Sequence, residues 1–365
     1  MNDIPPATAR IPEGVVNLAD YERLAEQHFD PSAWAYFSGA AGDEITMRWN
    51  REAFDRTALS SRVLKGRMGP DTRVELLGQV FAHPILVAPV AYQRLAHPEG
   101  ERATAIAAAA QDSGLVLSTS SSVALEDVAK VAGPRRWFQL YLQHEQRYTL
   151  DLVRRAEAAG YEALVVTVDA PINGLRNREH RAGFQLPPGM AAANLSGYPS
   201  QAPPADTRPI EFFMAGAPTW SDIAWLAGST RLPILLKGIL ASEDADLAFE
   251  HGARGVIVSN HGGRTFDTAP ATFNVLAEIV EGVAGRGPVL IDGGIRRGTD
   301  VLKCIASGAS AVLIGRPIAY GLGVAGALGV SHVLRLLRDE LEVAMALTGC
   351  ASLADAGPGL LRPSR

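Results

Sequence analysis

A chain of 365 residues with 47% hydrophobic content can bury one large core, and a single α/β barrel with additions fits that length as well as two ordinary domains do. A formal net charge of -5 with 20% charged residues leaves no basic stripe, which argues against a nucleic-acid partner. No run of about 20 apolar residues occurs, Met1 to Arg10 carry two prolines and an acidic residue where a signal peptide needs a basic patch and an apolar stretch, and Cys304 and Cys350 are the only cysteines. Together these predict a cytoplasmic protein with reduced, buried thiols and no membrane attachment.

In chain order, Val16 to Arg56 reads as helices laid before a barrel, with Asn17 and Asp43 as N-caps. From Pro84 onward, short Val/Ile/Leu runs alternate with alanine-rich helical stretches. The runs are Ile85 to Ala88, Leu115 to Leu117, Trp137 to Leu140, Ala163 to Val168, Pro233 to Leu236, Gly255 to Val258, Val289 to Ile291 and Ala311 to Ile314. Helices between them are expected to stop at Gly114, Gly160, Gly252 and Gly308. Eight strand–helix units predict a closed TIM (β/α)8 barrel in one domain, with residues 1–83 as a helical extension, 84–330 as the barrel and 331–365 as a C-terminal helix and tail. The interval from about Gly174 to Arg231, proline-rich between Leu186 and Pro209, is too long for an ordinary loop and predicts a lid after the fourth strand.

Polar residues follow nearly every run: Ser118, Gln139 and Tyr141, Thr167 and Asp169, Lys237, Ser259-Asn260-His261, Asp292-Gly293-Gly294 and Gly315-Arg316. A barrel builds its active site at that end of its strands. Glycines and arginines in Asp292 to Gly298 and in Ile314-Gly315-Arg316-Pro317 suit a phosphate, of substrate or cofactor alike. His261 with Arg264 pairs a group that exchanges protons near neutral pH with one that grips a carboxylate, whereas His83 and His251 read as structural. Lys237, at the rim of an apolar core, could form a Schiff base or stabilise negative charge on a cofactor.

The runs Ser259-Asn260-His261-Gly262-Gly263-Arg264, Asp292-Gly293-Gly294-Ile295-Arg296-Arg297-Gly298 and Ala96-His97-Pro98-Glu99-Gly100-Glu101 resemble the signatures of the FMN-dependent 2-hydroxy acid oxidases and dehydrogenases, over about Asn17 to Leu353. The resemblance implies FMN as cofactor, a 2-hydroxy acid as substrate, O2 or another electron acceptor, no metal, and a homotetramer or homo-octamer. It implies that His261 is the catalytic base, Asp169 its orienting carboxylate and Tyr141 the tyrosine near the substrate hydroxyl. Tyr36, Arg176 and Arg264 fall at carboxylate-binding positions. Pro89, Val90 and Ala91 fall at the flavin edge, and Ser118, Gln139 and Thr167 at its ring. Lys237 falls beside N1, which displaces the Schiff-base reading, and Ser259, Asp292, Gly293, Gly294, Arg296, Gly315 and Arg316 fall at ribityl and phosphate positions. A phosphate-substrate barrel would have no use for the His261–Arg264 pair, and a Schiff-base enzyme none for Tyr36, Arg176 and Arg264.

The chain also departs from the family pattern. Ser120 stands where glycolate oxidases carry a pocket tryptophan, Tyr92 replaces a methionine-like neighbour, and Leu175 replaces a second basic residue beside Arg176. Loss of the indole predicts a pocket for a larger, aryl-type side chain, as in mandelate. Ala91 resembles the alanine of oxidase members, so an (S)-2-hydroxy acid oxidase that makes H2O2 is expected, with dehydrogenase or lactate monooxygenase-type chemistry as alternatives. Pro363-Ser364-Arg365 lacks the peroxisomal tripeptide of some members.

Overall fold

Each apolar run forms a strand, because continuous Val, Ile and Leu suits a strand buried on both faces. The strands are β1 (Ile85–Val87), β2 (Gly114–Ser118), β3 (Arg136–Leu140), β4 (Leu164–Thr167), β5 (Ile234–Ile239), β6 (Gly255–Val258), β7 (Val289–Ile291) and β8 (Ala311–Ile314), and they close into one parallel barrel with β8 paired back onto β1. The computed structural model describes residues 10–65, 69–199, 203–204 and 206–363. The expectation about a signal peptide before Arg10, and that about the C-terminal tripeptide at Ser364 and Arg365, rest on residues outside these.

Alternate strand residues face opposite sides. Ile85, Val87, Leu115, Leu117, Phe138, Leu164 and Val166 pack outward into the core shared with the helices. Leu86, Val116, Trp137, Val165, Leu235, Ile257, Leu290 and Leu313 fill the interior. Two residues further along each strand stand Ala88, Ser118, Gln139, Thr167, Lys237, Ser259, Asp292 and Gly315. The barrel interior therefore changes from an apolar layer to a largely polar one at the C-terminal ends of its strands. The opposite end is closed by the antiparallel hairpin Val74–Leu76/Gln79–Phe81; Leu76 and Phe81 join the interior cluster, and Phe81 meets Trp137 edge-on with centroids 5.9 Å apart.

Before the barrel lie helices Leu18–His28, Pro31–Ser38 and Ile45–Asp55. Asn17 caps the first as expected, in a capping box with Asp20. Asp43 does not cap the third. Glu44 precedes that helix in a left-handed conformation, and Asp267, from the loop after β6, accepts from the Asp43 and Thr46 N–H groups at 2.9 Å each. Residues 57–81 depart from a purely helical extension: Thr57–Leu59 pairs with Leu361–Pro363 near the other end of the chain, ahead of the barrel-closing hairpin.

Gly160, Gly252 and Gly308 follow their helices at φ 74°, 94° and 96°, as expected. Gly114 does not: it opens β2, where a Cβ would lie 2.8 Å from Leu86 and Phe81, and Asp112 makes the left-handed turn instead. The proline-rich insertion carries helices Asn177–Arg181 and Pro209–Ala215 but ends sooner than expected. Helix Trp220–Ser229, started by a Thr219/Asp222 capping box and burying Ile223 and Leu226, is the crossover into β5. Helix Arg316–Thr348 begins immediately after β8 and breaks at Ala325–Gly326, so the expected division near residue 330 falls inside it. It is long and apolar enough to cross a membrane, yet 78% of its most apolar window is buried within the fold, as in a core helix. Cys304 and Cys350 are free and buried, and His83 and His251 bond backbone carbonyls, as structural histidines do.

Phe81→Ala should open a void under the barrel and destabilise the protein by about 3–5 kcal/mol. Equilibrium urea unfolding checks this; a loss under about 1 kcal/mol would show that the hairpin is not an integral plug.

Candidate active site

At the polar end of the barrel lies a cavity of about 1100 Å³, roofed in part by the lid. It brings together Tyr36, Pro89, Val90, Ala91, Ser118, Gln139, Tyr141, Thr167, Arg176, Lys237, His261, Arg264, Asp292, Gly293, Gly294, Arg296, Gly315 and Arg316. Of the expected site residues, Asp169 and Ser259 alone do not line it; both stand behind the lining residues they hold. The lid adds Glu179, Phe184, Leu186, Ile210 and Phe213, which sequence reasoning missed because an irregular insertion has no period to show which residues turn inward.

His261 Nδ1 lies 2.9 Å from Asp169 Oδ1. A carboxylate accepts only, so Nδ1 carries the proton, and in the neutral ring Nε2 is the nitrogen left with a lone pair. His261 holds a left-handed backbone (φ 57°), followed by Gly262 and Gly263 at 63° and 78°. Such a conformation costs a non-glycine residue roughly 1–3 kcal/mol and persists where the surroundings impose it. Here Ser259 Oγ accepts the His261 N–H at 3.1 Å, and the Asn260 side chain accepts from Gly263 and exchanges two hydrogen bonds with Asn50. Burial pushes the Asp169 carboxyl up, but the facing imidazole and Lys237 more than offset it, so Asp169 sits below its ordinary value of 3.8.

Arg264 and Arg176 face the cavity from the β6 loop and the lid. Arg264 donates to the Tyr36 and Gly39 carbonyls and, at 2.9 Å, to Glu179 Oε1; its guanidinium lies 5.0 Å from the Tyr36 ring centre. Arg176 reaches the same Glu179 oxygen at 3.4 Å. Burial first, and the Arg176 charge second, pull the Arg264 pKa below its usual value. Burial pushes the Tyr36 and Tyr141 hydroxyls up to about 12, so both stay protonated hydrogen-bond donors.

The other end of the cavity is built for a large polar cofactor. Lys237, 3% exposed, pairs with Asp292 Oδ2 at 2.9 Å and donates to Ser259 Oγ at 2.8 Å. Burial opposes its charge, but Asp292 and Asp169 overcome that and hold its pKa above the ordinary value. Gln139 Oε1 accepts from the Thr119 N–H and the Ser118 hydroxyl, which leaves the buried Nε2 without a protein partner, as is Asp292 Oδ1. Unpaired buried polar atoms are costly and imply an outside partner. At Gly315 a Cβ would meet only Ala88, at 3.8 Å, so a ligand can approach the backbone closely there. Arg316 donates to the carbonyls of Phe37, Gly39 and Gly262, and burial lowers its pKa to about 10. These residues fit FMN: an amide and Lys237 for the ring, Asp292 for the ribityl hydroxyls, and Arg296, Arg316 and glycine backbone for the phosphate.

An unpaired buried amide with two arginines at one end of the cavity, and a His–Asp pair with two further arginines at the other, define a barrel site suited to a phosphorylated cofactor and an anionic substrate. The family model described as FMN-dependent dehydrogenase matches residues 25–363. An L-lactate oxidase of Alicycliphilus denitrificans is 50% identical over 97% of this chain and 98% of its own length, and glycolate oxidase 1 of Zea mays is 43% identical over 93% and 94%. A solved structure of mandelate oxidase with benzoyl-formic acid superposes with a TM-score of 0.87 at 44% identity, covering 95% of this chain and 98% of that one. The chain belongs to the FMN-dependent 2-hydroxy acid oxidase family. Its cofactor is FMN and its reaction the oxidation of a 2-hydroxy acid.

Gln139→Leu keeps the side-chain bulk and removes the unpartnered donor, so the FMN dissociation constant should rise about tenfold, as read by fluorescence titration of the apoprotein. Asp169 has a depressed folded-state pKa, so its stabilisation is complete above 3.8 and is lost as pH falls through the lowered value. Asp169→Asn should therefore be less stable than wild type at pH 7, with the gap narrowing below pH 3.8. Denaturant midpoints measured across pH check this, and a constant gap would contradict it.

Proposed function

We propose that the protein oxidises (S)-2-hydroxy acids with side chains larger than that of glycolate, aryl groups included, to the 2-oxo acids, with O2 as acceptor and H2O2 as product. The apolar wall of the cavity carries this reading: Ala91, Tyr92, Phe184, Leu186, Ile210 and Phe213 line it, and Ser120 leaves room where a tryptophan would fill it. Tyr36 stacks on Phe184 with centroids 4.8 Å apart, which joins the carboxylate end to that wall.

The substrate loses two electrons and two protons, and O2 gains them as H2O2. Arg264 and Arg176 hold the carboxylate, Tyr36 and Tyr141 present hydroxyl donors, and His261 Nε2 takes a proton from the substrate. As His261 becomes cationic, Asp169 stabilises it at 2.9 Å. Bound FMN supplies the two-electron acceptor and the reaction with O2, beside a Lys237 kept cationic by Asp292. The oxidase names of the relatives and Ala91 at the cavity wall support O2 over another acceptor. The L-lactate oxidases, at 50% identity, favour a second reading in which L-lactate is the preferred substrate.

The deciding test is anaerobic bleaching of the yellow holoenzyme by (S)-mandelate, L-lactate and glycolate, followed by air and a peroxide assay. Bleaching by mandelate with fast reoxidation supports the proposal, and higher kcat/KM on L-lactate supports the second reading. Slow reoxidation indicates a dehydrogenase, a decarboxylated product a monooxygenase, and no bleaching overturns both readings. Ser120→Trp should lower kcat/KM on mandelate by about tenfold to a hundredfold, the cost of overpacking, while changing glycolate turnover little.

A further inference from the structure

The mechanism above leaves Glu179 without a task, although among the described residues it is the carboxylate that touches both Arg176 and Arg264. It sits in the lid helix Asn177–Arg181 with a side chain 13% exposed, and its Oε1 lies 2.9 Å from Arg264 Nη2 and 3.4 Å from Arg176 Nη1. Both guanidinium groups are nearly as enclosed, at 15% and 17%. At this degree of enclosure an unmatched charge is costly and draws a counter-charge.

Charges around the cavity fall into matched sets. Lys237 is answered by Asp292, and His261, when it takes its proton, by Asp169. Arg296, with the Glu22 carboxylate 4.0 Å away, and Arg316 face the corner suited to a phosphate dianion. Tyr36 and Tyr141 stay neutral, since burial pushes both up to about 12. What remains is Arg176 and Arg264 against Glu179, a net charge of one.

We infer that Glu179 sets the substrate end of the cavity to accept one carboxylate and refuse two, so that it selects monocarboxylic 2-hydroxy acids over dicarboxylic ones such as malate. The inference rests on the reading that the arginine pair receives the substrate carboxylate. With Glu179 in place, the first carboxylate completes neutralisation and a second is buried without a partner. With Glu179 uncharged, the second carboxylate finds the remaining positive charge. Glu179 is thus a positioning and selecting residue, acting through the arginines and not on the reacting atoms.

The test compares two unreactive anions of equal chain length, butyrate and succinate, which differ by a methyl group against a carboxylate. Their dissociation constants are read from the perturbed flavin absorbance of the holoenzyme. Wild type should favour butyrate. Glu179→Gln, which keeps the shape and one hydrogen-bonding oxygen, should move the preference at least about tenfold toward succinate, and should raise kcat/KM for L-malate relative to L-lactate by a similar factor. Glu179→Asp should restore the wild-type preference. A shift below threefold, or equal weakening of both anions in Glu179→Gln, would show that Glu179 only holds the lid together and would overturn the inference. A wild-type enzyme that binds both anions but oxidises no 2-hydroxy acid would count against the proposed function, and the binding ratio would still decide the role of Glu179.

Discussion

An ammonium group inside a hydrophobic barrel is tolerable only if a carboxylate meets it, and the active end of this protein is arranged around that demand at Lys237. Asp292 meets the charge, Ser259 accepts a further hydrogen bond, and the same Ser259 oxygen receives the His261 N–H. His261 in turn is oriented by Asp169, whose field also reaches Lys237. The groups that handle the proton and those that face the cofactor are therefore one electrostatic unit, although they come from β4, β5, β6 and β7. Ser259, expected among the ribityl and phosphate positions, also links the two groups through its hydroxyl.

Much of this unit can be read from the chain because the period-2 rule runs to the strand ends. Once Leu235, Ile257 and Leu290 are known to face inward, Lys237, Ser259 and Asp292 must follow them one layer up. Adjacent motifs such as Ser259 to Arg264 are equally legible, since the chain itself keeps their parts together. What could not be read is what the chain brings together from far apart. Asp267 supplies a cap that Asp43 was expected to give, and nothing near residue 43 signals it. Gly114 reads as a helix stop because glycine usually serves there; its reason is instead the closeness of Leu86 and Phe81 at the barrel floor.

The lid shows the same division. Its start and its arginine are marked by the motif that leads into it, but its inward residues are not, and its end is hard to read because Trp220–Ser229 follows a long aperiodic stretch. A capping box at Thr219 and Asp222, with Ile223 and Leu226 on one face, was the available signal. Glu179 stands three residues after Arg176, a spacing that brings side chains together on one helical turn. That spacing suggests the local pair; only the fold shows that Arg264 shares it.

One further consequence concerns how such a protein can be recombined. Arg264 and Arg316, rooted after β6 and at the end of β8, both hold carbonyl groups in the short stretch from Tyr36 to Gly39. That stretch delivers Tyr36 to the cavity, and its conformation is dictated by residues more than two hundred positions away. The N-terminal segment is thus not a detachable module on a self-sufficient barrel. A chimera that takes its first forty residues from one relative and its β6 to β8 region from another would exchange the ends of a single clamp, and would retain function only where both parents share the same backbone path through Gly39.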